Sequence, residues 1–346
     1  MYSRTTLSLK SPNILRLVNQ PLEVADERRQ KLGKNEATRH IERDQVGTRT
    51  QHRIVSGQFE GKRAVFTRLT GALVRAFLIA LLVALPSLLL PNVAAETSQV
   101  VVLVAIFASL LTFTEYYTKY PSIVEFRFAG PFNRLRYLTL FSMVFLIATI
   151  CSGKTDPTTF TQFITALGTI LGNAIDFPYS PVRNMVLMMP DGTPDPLINT
   201  IRTAAGIAYL VSLVAMIAFF TLVHVFKWPA RNGAFNVWIN LPLFDPTAGG
   251  DVLTRLKRDA QLNIILGFLL PFLIPAIIKA ASNMIDPISM SNPQTLIWTI
   301  SAWAFLPASM IMRGIALGRV AEMIEEKRRR AYAKAAQDKA DGLLPA

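Results

Sequence analysis

Residues 158–177 read TTFTQFITALGTILGNAIDF, and the number of times this chain crosses a membrane turns on them. Phe160, Phe163, Ile164, Leu167, Ile170, Leu171 and Ile175 recur at helical spacing. Gln162, Thr165, Thr169 and Asn173 form an uncharged polar stripe opposite them. This is the pattern of an amphipathic helix. If the segment crossed a bilayer, every later loop would change sides. The basic loop around Arg255, Lys257 and Arg258 and the C-terminal tail would then lie outside, against the tendency of Lys and Arg to stay in the cytoplasm. The stretch is therefore expected to lie on the outer face or against the bundle, or to be re-entrant.

On either side of it the chain is dominated by long uncharged runs. Of 346 residues, 51% are hydrophobic and only 17% charged, a balance that points away from soluble domains. Six runs, at about residues 72–90, 98–117, 138–153, 203–226, 262–281 and 294–312, approach the ~20 residues that a helix needs to cross ~30 Å of hydrocarbon. The third is the shortest, and Arg136 and Tyr137 can anchor it at the interface. The expected fold is an all-α membrane protein, a polytopic bundle of six transmembrane helices. With these spans, 32 of the 36 Lys and Arg residues fall on the side of the termini, and only Lys154, Arg183, Arg202 and Lys279 fall on the other. Both termini are expected in the cytoplasm, and a cell inner membrane is the expected home.

The same partition explains the net charge of +13 without nucleic acid. No nucleic-acid partner is expected, because only Tyr332 interleaves an aromatic ring with the C-terminal basic residues. Residues 1–62 are polar, carry both charges and show no sustained apolar period, so they read as a largely disordered cytoplasmic tail. Residues 63–313 read as the membrane domain and 314–346 as a cytoplasmic helix and tail. The first apolar run begins near Leu73, too late for a secretory leader.

Chemistry is scarce. One cysteine, Cys151, excludes an intramolecular disulfide and a Cys-based zinc or iron–sulfur site, and three histidines are too few for a His-rich metal centre. The motifs H-E-x-x-H, G-x-S-x-G and a glycine fingerprint after a strand are absent. No catalytic, cofactor-binding or metal-binding residue is nominated, and no motif covers enough of the chain to indicate a family. Arg75, Glu115, Arg202 and Lys279 lie near span ends, where long side chains snorkel to water. Asp156, Asp176, Asp191 and Asp195 show no spacing that marks a pair.

Four features remain. Pro271 and Pro275, in GFLLPFLIPAII, are candidate hinge residues, since proline frees a carbonyl and kinks a helix. Gly168 and Gly172, and Gly314 and Gly318, carry the G-x-x-x-G spacing of close helix contacts. In the loop WINLPLFDPTAGGD, Asp251 suits a helix N-cap and Trp238 suits contact with lipid headgroups or a partner. Lys327, Arg328, Arg329 and Arg330 extend the sixth helix, with Glu325–Arg329 and Glu326–Arg330 as i,i+4 pairs, and are candidates for anionic lipid headgroups or a partner protein. The expected role is a non-enzymatic scaffold, assembly factor or regulatory partner that works through its cytoplasmic tails and loop. The alternative is a transporter or permease subunit for a neutral or apolar solute, using the proline-kinked helices.

Overall fold

The computed structural model describes residues 65–91, 93–120, 122–229, 237–245, 249–281 and 289–341. The expected N-terminal tail lies outside them. The chain divides into a unit Met1–Arg68, of which only 65–68 are described, and a unit Leu69–Ala346 that holds the bundle. The described residues are helical or irregular and contain no strand. Helix α1 covers Val65–Leu89, α2 Ala95–Tyr117, α3 Phe132–Ser152, α4 Thr159–Ile175 and α5 Pro181–Leu187. Then follow α6, Asp195–His224; the single turn α7, Val237–Asn240; α8, Val252–Ala281; and α9, Pro293–Ala340.

Six of these, α1, α2, α3, α6, α8 and α9, are long and apolar enough to cross a membrane. The chain is a polytopic helical bundle, as its hydropathy predicts. The helices run past the apolar windows because polar residues of good helix propensity and local caps continue them. The Asn292 side chain accepts from the backbone N–H groups of Gln294 and Thr295, and Pro293 occupies the first turn of α9. Asp251 precedes α8, and backbone hydrogen bonds from Leu253 and Thr254 reach it, as its sequence position predicts.

Helix α4 matches the amphipathic stretch. A capping box between Thr158 and Thr161 starts it. Its 17 residues measure about 26 Å, short of ~30 Å of hydrocarbon. Thr161 sits against Gly153 at the end of α3, Gly168 near Ile150 and Thr203, and Gly172 against Arg202 and Gly206 near the start of α6. Both halves of α4 thus rest on the same end of the bundle.

Two apolar cores stack along the molecule. One gathers Met143, Val144 and Ile147 of α3, Ile201 and Ala204 of α6, Met185 of α5 and Ile297 and Ile300 of α9. The other gathers Phe126, Phe132, Phe219, Trp228, Leu241 and Leu256 with the middle of α9. We call these the α4 end and the Trp228 end. Small residues make the seams. A Cβ added at Gly172 would lie 2.7 Å from the Arg202 carbonyl oxygen, and one at Gly314 2.7 Å from that of Ala260. The G-x-x-x-G spacing therefore serves the α4–α6 and α8–α9 contacts. Helix α2 contributes little: along 23 residues only Ala105 and Glu115 are buried.

The proline-bearing half of α8 is braced by its neighbour. Pro275 has no N–H to offer the carbonyl of Pro271, four residues earlier. The Trp303 indole N–H of α9 donates to that carbonyl instead, at 3.0 Å in a buried setting.

Candidate functional site

The α4 end carries a polar cleft of about 370 Å³. It forms because α4 turns its stripe of Thr165, Thr169 and Asn173 toward the end of α3 and the first turns of α6. Lys154, Asn199 and Arg202 complete its polar wall. Behind it lies an ion-pair node. Asp176, with a side chain only 6% exposed, is 2.8 Å from Arg183 Nε and 2.7 Å from Arg202 Nε. Arg202 also donates through Nη1 to Asn199 Oδ1 at 2.6 Å. A guanidinium shared between a carboxylate and an amide is fixed in orientation, and the cleft's wall is fixed with it.

At the Trp228 end the charges turn inward. Glu115 is buried. Its Oε1 accepts the backbone N–H groups of Ser122, Ile123 and Val124 at 2.8, 2.9 and 3.0 Å, and its Oε2 accepts the Ser122 hydroxyl at 2.7 Å. Arg127 donates to the carbonyls of Glu115, Tyr116 and Thr118, covering the C-terminus of α2. Glu125 takes both ends of a fork from Arg313, at 2.6 and 2.8 Å. Arg136 lies between the rings of Phe132 and Phe305. The loops join here as well: the Phe126 N–H donates to the Asn240 carbonyl at 2.6 Å, and the Trp228 indole to the Gly130 carbonyl at 3.1 Å.

Snorkelling is thus the wrong account of Glu115 and Arg202, which bind protein groups rather than reach for water. Lys279 also turns back, donating to the Met189 carbonyl at 3.0 Å. Glu125, Arg313 and Asp176 were not separable in the sequence as partners. Glu125 and Arg313 are 188 residues apart, and no short-range pattern could pair them.

The basic run sits on the exposed second half of α9. Arg328 pairs with Asp251 at 2.8 Å and Arg330 with Glu326 at 3.7 Å, the latter an expected i,i+4 pair. Glu325 instead reaches across to Lys257, at 2.7 Å. Lys327 and Arg329 are exposed. The side chain of Trp238 lies outside the described residues. The Arg328 guanidinium beside Asp251 holds its carboxyl below the ordinary value of 3.8. Leu241 and Phe244 bury into the Trp228-end core, so the loop that carries Trp238 packs in part on its own bundle.

Pro271 and Pro275 are both buried against the bundle, and His224 stacks on Phe220 at the end of α6. Among the described residues no group of three or more His, Cys, Asp or Glu side chains is placed to hold a metal ion. Comparison with known proteins finds no matching family model, no matching curated protein and no matching solved structure.

Proposed function

We propose that the chain is a multi-pass inner-membrane protein, with both termini in the cytoplasm, that serves as a non-enzymatic scaffold, assembly factor or regulatory partner. The observation that carries this reading is α9. It runs 48 residues without a break, about 72 Å, where the hydrocarbon core needs ~30 Å. Residues 327–337 are exposed on every side. The root of this extension is braced to α8 by the Lys257–Glu325 and Asp251–Arg328 pairs. A braced helix that buries nothing of itself offers surface to something else. The permease reading rests on the prolines of α8, and the Trp303 hydrogen bond that closes the freed carbonyl weighs against a working hinge there.

The test is complementation in a strain that lacks the chain. A form ending after residue 326 and a form lacking residues 1–60 should both reach the membrane at the level of the whole protein, melt near it, and fail to restore the phenotype. Full rescue by both forms would overturn the scaffold reading in favour of the permease. Reporters fused after Asp191 and at the C-terminus should give opposite signals, and equal signals would overturn the orientation.

A further inference from the structure

We propose that the cleft at the α4 end binds the headgroup of an anionic phospholipid whose phosphodiester carries a hydroxylated substituent, a glycerol-type headgroup. The argument begins with charge. Of the four basic residues assigned to this end, Arg183 and Arg202 are held by Asp176, and Lys279 by the Met189 carbonyl. Lys154, on the wall of the cleft, makes no side-chain hydrogen bond or ion pair among the described residues. Its ammonium brings three donors and a positive charge to a site that already has Arg202.

The hydrogen-bond inventory then narrows the ligand. The hydroxyls of Thr165, Thr169 and Thr200 each donate to the carbonyl four residues earlier, at 2.7, 2.8 and 2.7 Å. Their protons are committed, so toward the cleft these oxygens can only accept, and that of Thr169 already meets the Thr203 hydroxyl at 3.2 Å. Asn199 accepts from Arg202 through Oδ1, which leaves its NH2 to donate. The wall thus offers donors (Lys154, Arg202 and the Asn199 amide) and acceptors (chiefly the Thr165 and Thr200 oxygens), with the Asn173 amide able to serve as either. A phosphate satisfies the first group and has no hydrogen to give the second. A phosphate that carries hydroxyl groups satisfies both.

The ligand's other half follows from the adjoining hollow. A second space of about 500 Å³ shares Gly153, Thr165 and Thr169 with the cleft and continues along Gln162, Ala166 and Ile170. Beyond it Phe163, Leu167 and Ile170 of α4 are exposed. The polar cleft therefore opens onto an apolar surface, as an amphiphile requires and a free sugar phosphate does not. Burying a hydrocarbon chain there adds affinity in proportion to the area covered.

The experiment uses the full chain purified in a non-ionic detergent and native mass spectrometry to count bound lipid. Dioctanoyl phosphatidylglycerol should bind with one tight site. Dioctanoyl phosphatidylmethanol, with the same charge but no headgroup hydroxyl, and dioctanoyl phosphatidylcholine should bind more weakly. Lys154→Gln should weaken phosphatidylglycerol binding about fivefold. Thr165→Val should reduce the preference for phosphatidylglycerol over phosphatidylmethanol and leave phosphatidylmethanol itself unchanged. The melting temperature of each variant checks its fold, and Lys154 is exposed enough for its replacement to leave the bundle intact. Equal displacement of the bound lipid by glycerol 3-phosphate or inorganic phosphate would overturn the lipid assignment and make the ligand a soluble phosphate. Unchanged binding in Lys154→Gln, or a loss seen only when Lys327, Arg328, Arg329 and Arg330 are neutralised together, would place the lipid at the other end and overturn the site.

Discussion

The two ends of this bundle handle charge in opposite ways. At the Trp228 end, Glu115 and Glu125 are buried and every carboxylate oxygen meets a donor, so charge there ties loops and helices together. At the α4 end, one carboxylate, Asp176, fixes two arginines, while Lys154 and the threonine oxygens remain turned to an open cleft. Satisfied buried charge is what a structural joint needs, because each unpaired group in a low-dielectric site is costly. Polar groups left facing an open cleft cost little in water and leave room for a ligand. The comparison separates the part that holds the fold from the part that can bind.

The largest test of that contrast is to break one joint at each end. Glu125→Gln leaves Arg313, whose side chain is 31% exposed, with half a fork, and removal of one partner from such a half-buried pair costs about 3 kcal/mol. Asp176→Asn strikes a carboxylate just as buried, and its partners Arg183 and Arg202 are 37% and 21% exposed, much as Arg313 is. Its expected cost is therefore similar, about 3 kcal/mol. Thermal unfolding in detergent should show comparable losses, but only Asp176→Asn, which frees the Arg202 wall of the cleft, should also weaken phosphatidylglycerol binding; an equal loss of binding in Glu125→Gln would dissolve the distinction between joint and site.

A smaller effect tests how α8 is held. Trp303→Phe keeps the ring and removes only the N–H that serves the Pro271 carbonyl, so it should cost about 1–3 kcal/mol through an unsatisfied buried acceptor. Hydrogen exchange should rise in α8 around Pro275. No change would mean that this stretch of α8 is held by packing alone.

The smallest effect is the pH response of the Asp251–Arg328 pair. The pairing lowers the Asp251 pKa below its ordinary 3.8. A depressed carboxylate contributes stability that is present above the unfolded value and is lost as pH falls through the folded value. The brace between the start of α8 and α9 should therefore hold at neutral pH and loosen only below 3.8. Because the group is exposed, salt should weaken it as well. Spin labels on α8 and α9 should show the change in acid, and Asp251→Asn should show it at neutral pH.

Much of this protein was legible in one dimension. Long uncharged runs must leave water, and backbone groups in hydrocarbon must pair within the segment, so six helices followed from composition alone. The alternation of Phe163, Leu167 and Ile170 with Thr165, Thr169 and Asn173 marked α4 as amphipathic for the same reason. Asp251 announced a helix start because capping is a contact between near neighbours. What the sequence alone could not decide is which distant groups meet. Glu125 with Arg313, Trp303 with Pro271, and Gly172 with Arg202 are separated by loops whose path sets the pairing. Hydropathy assigns a residue to membrane or water but carries no information about its partner. The tertiary structure supplied that, and with it the difference between charges that lock the bundle and charges that line a cleft.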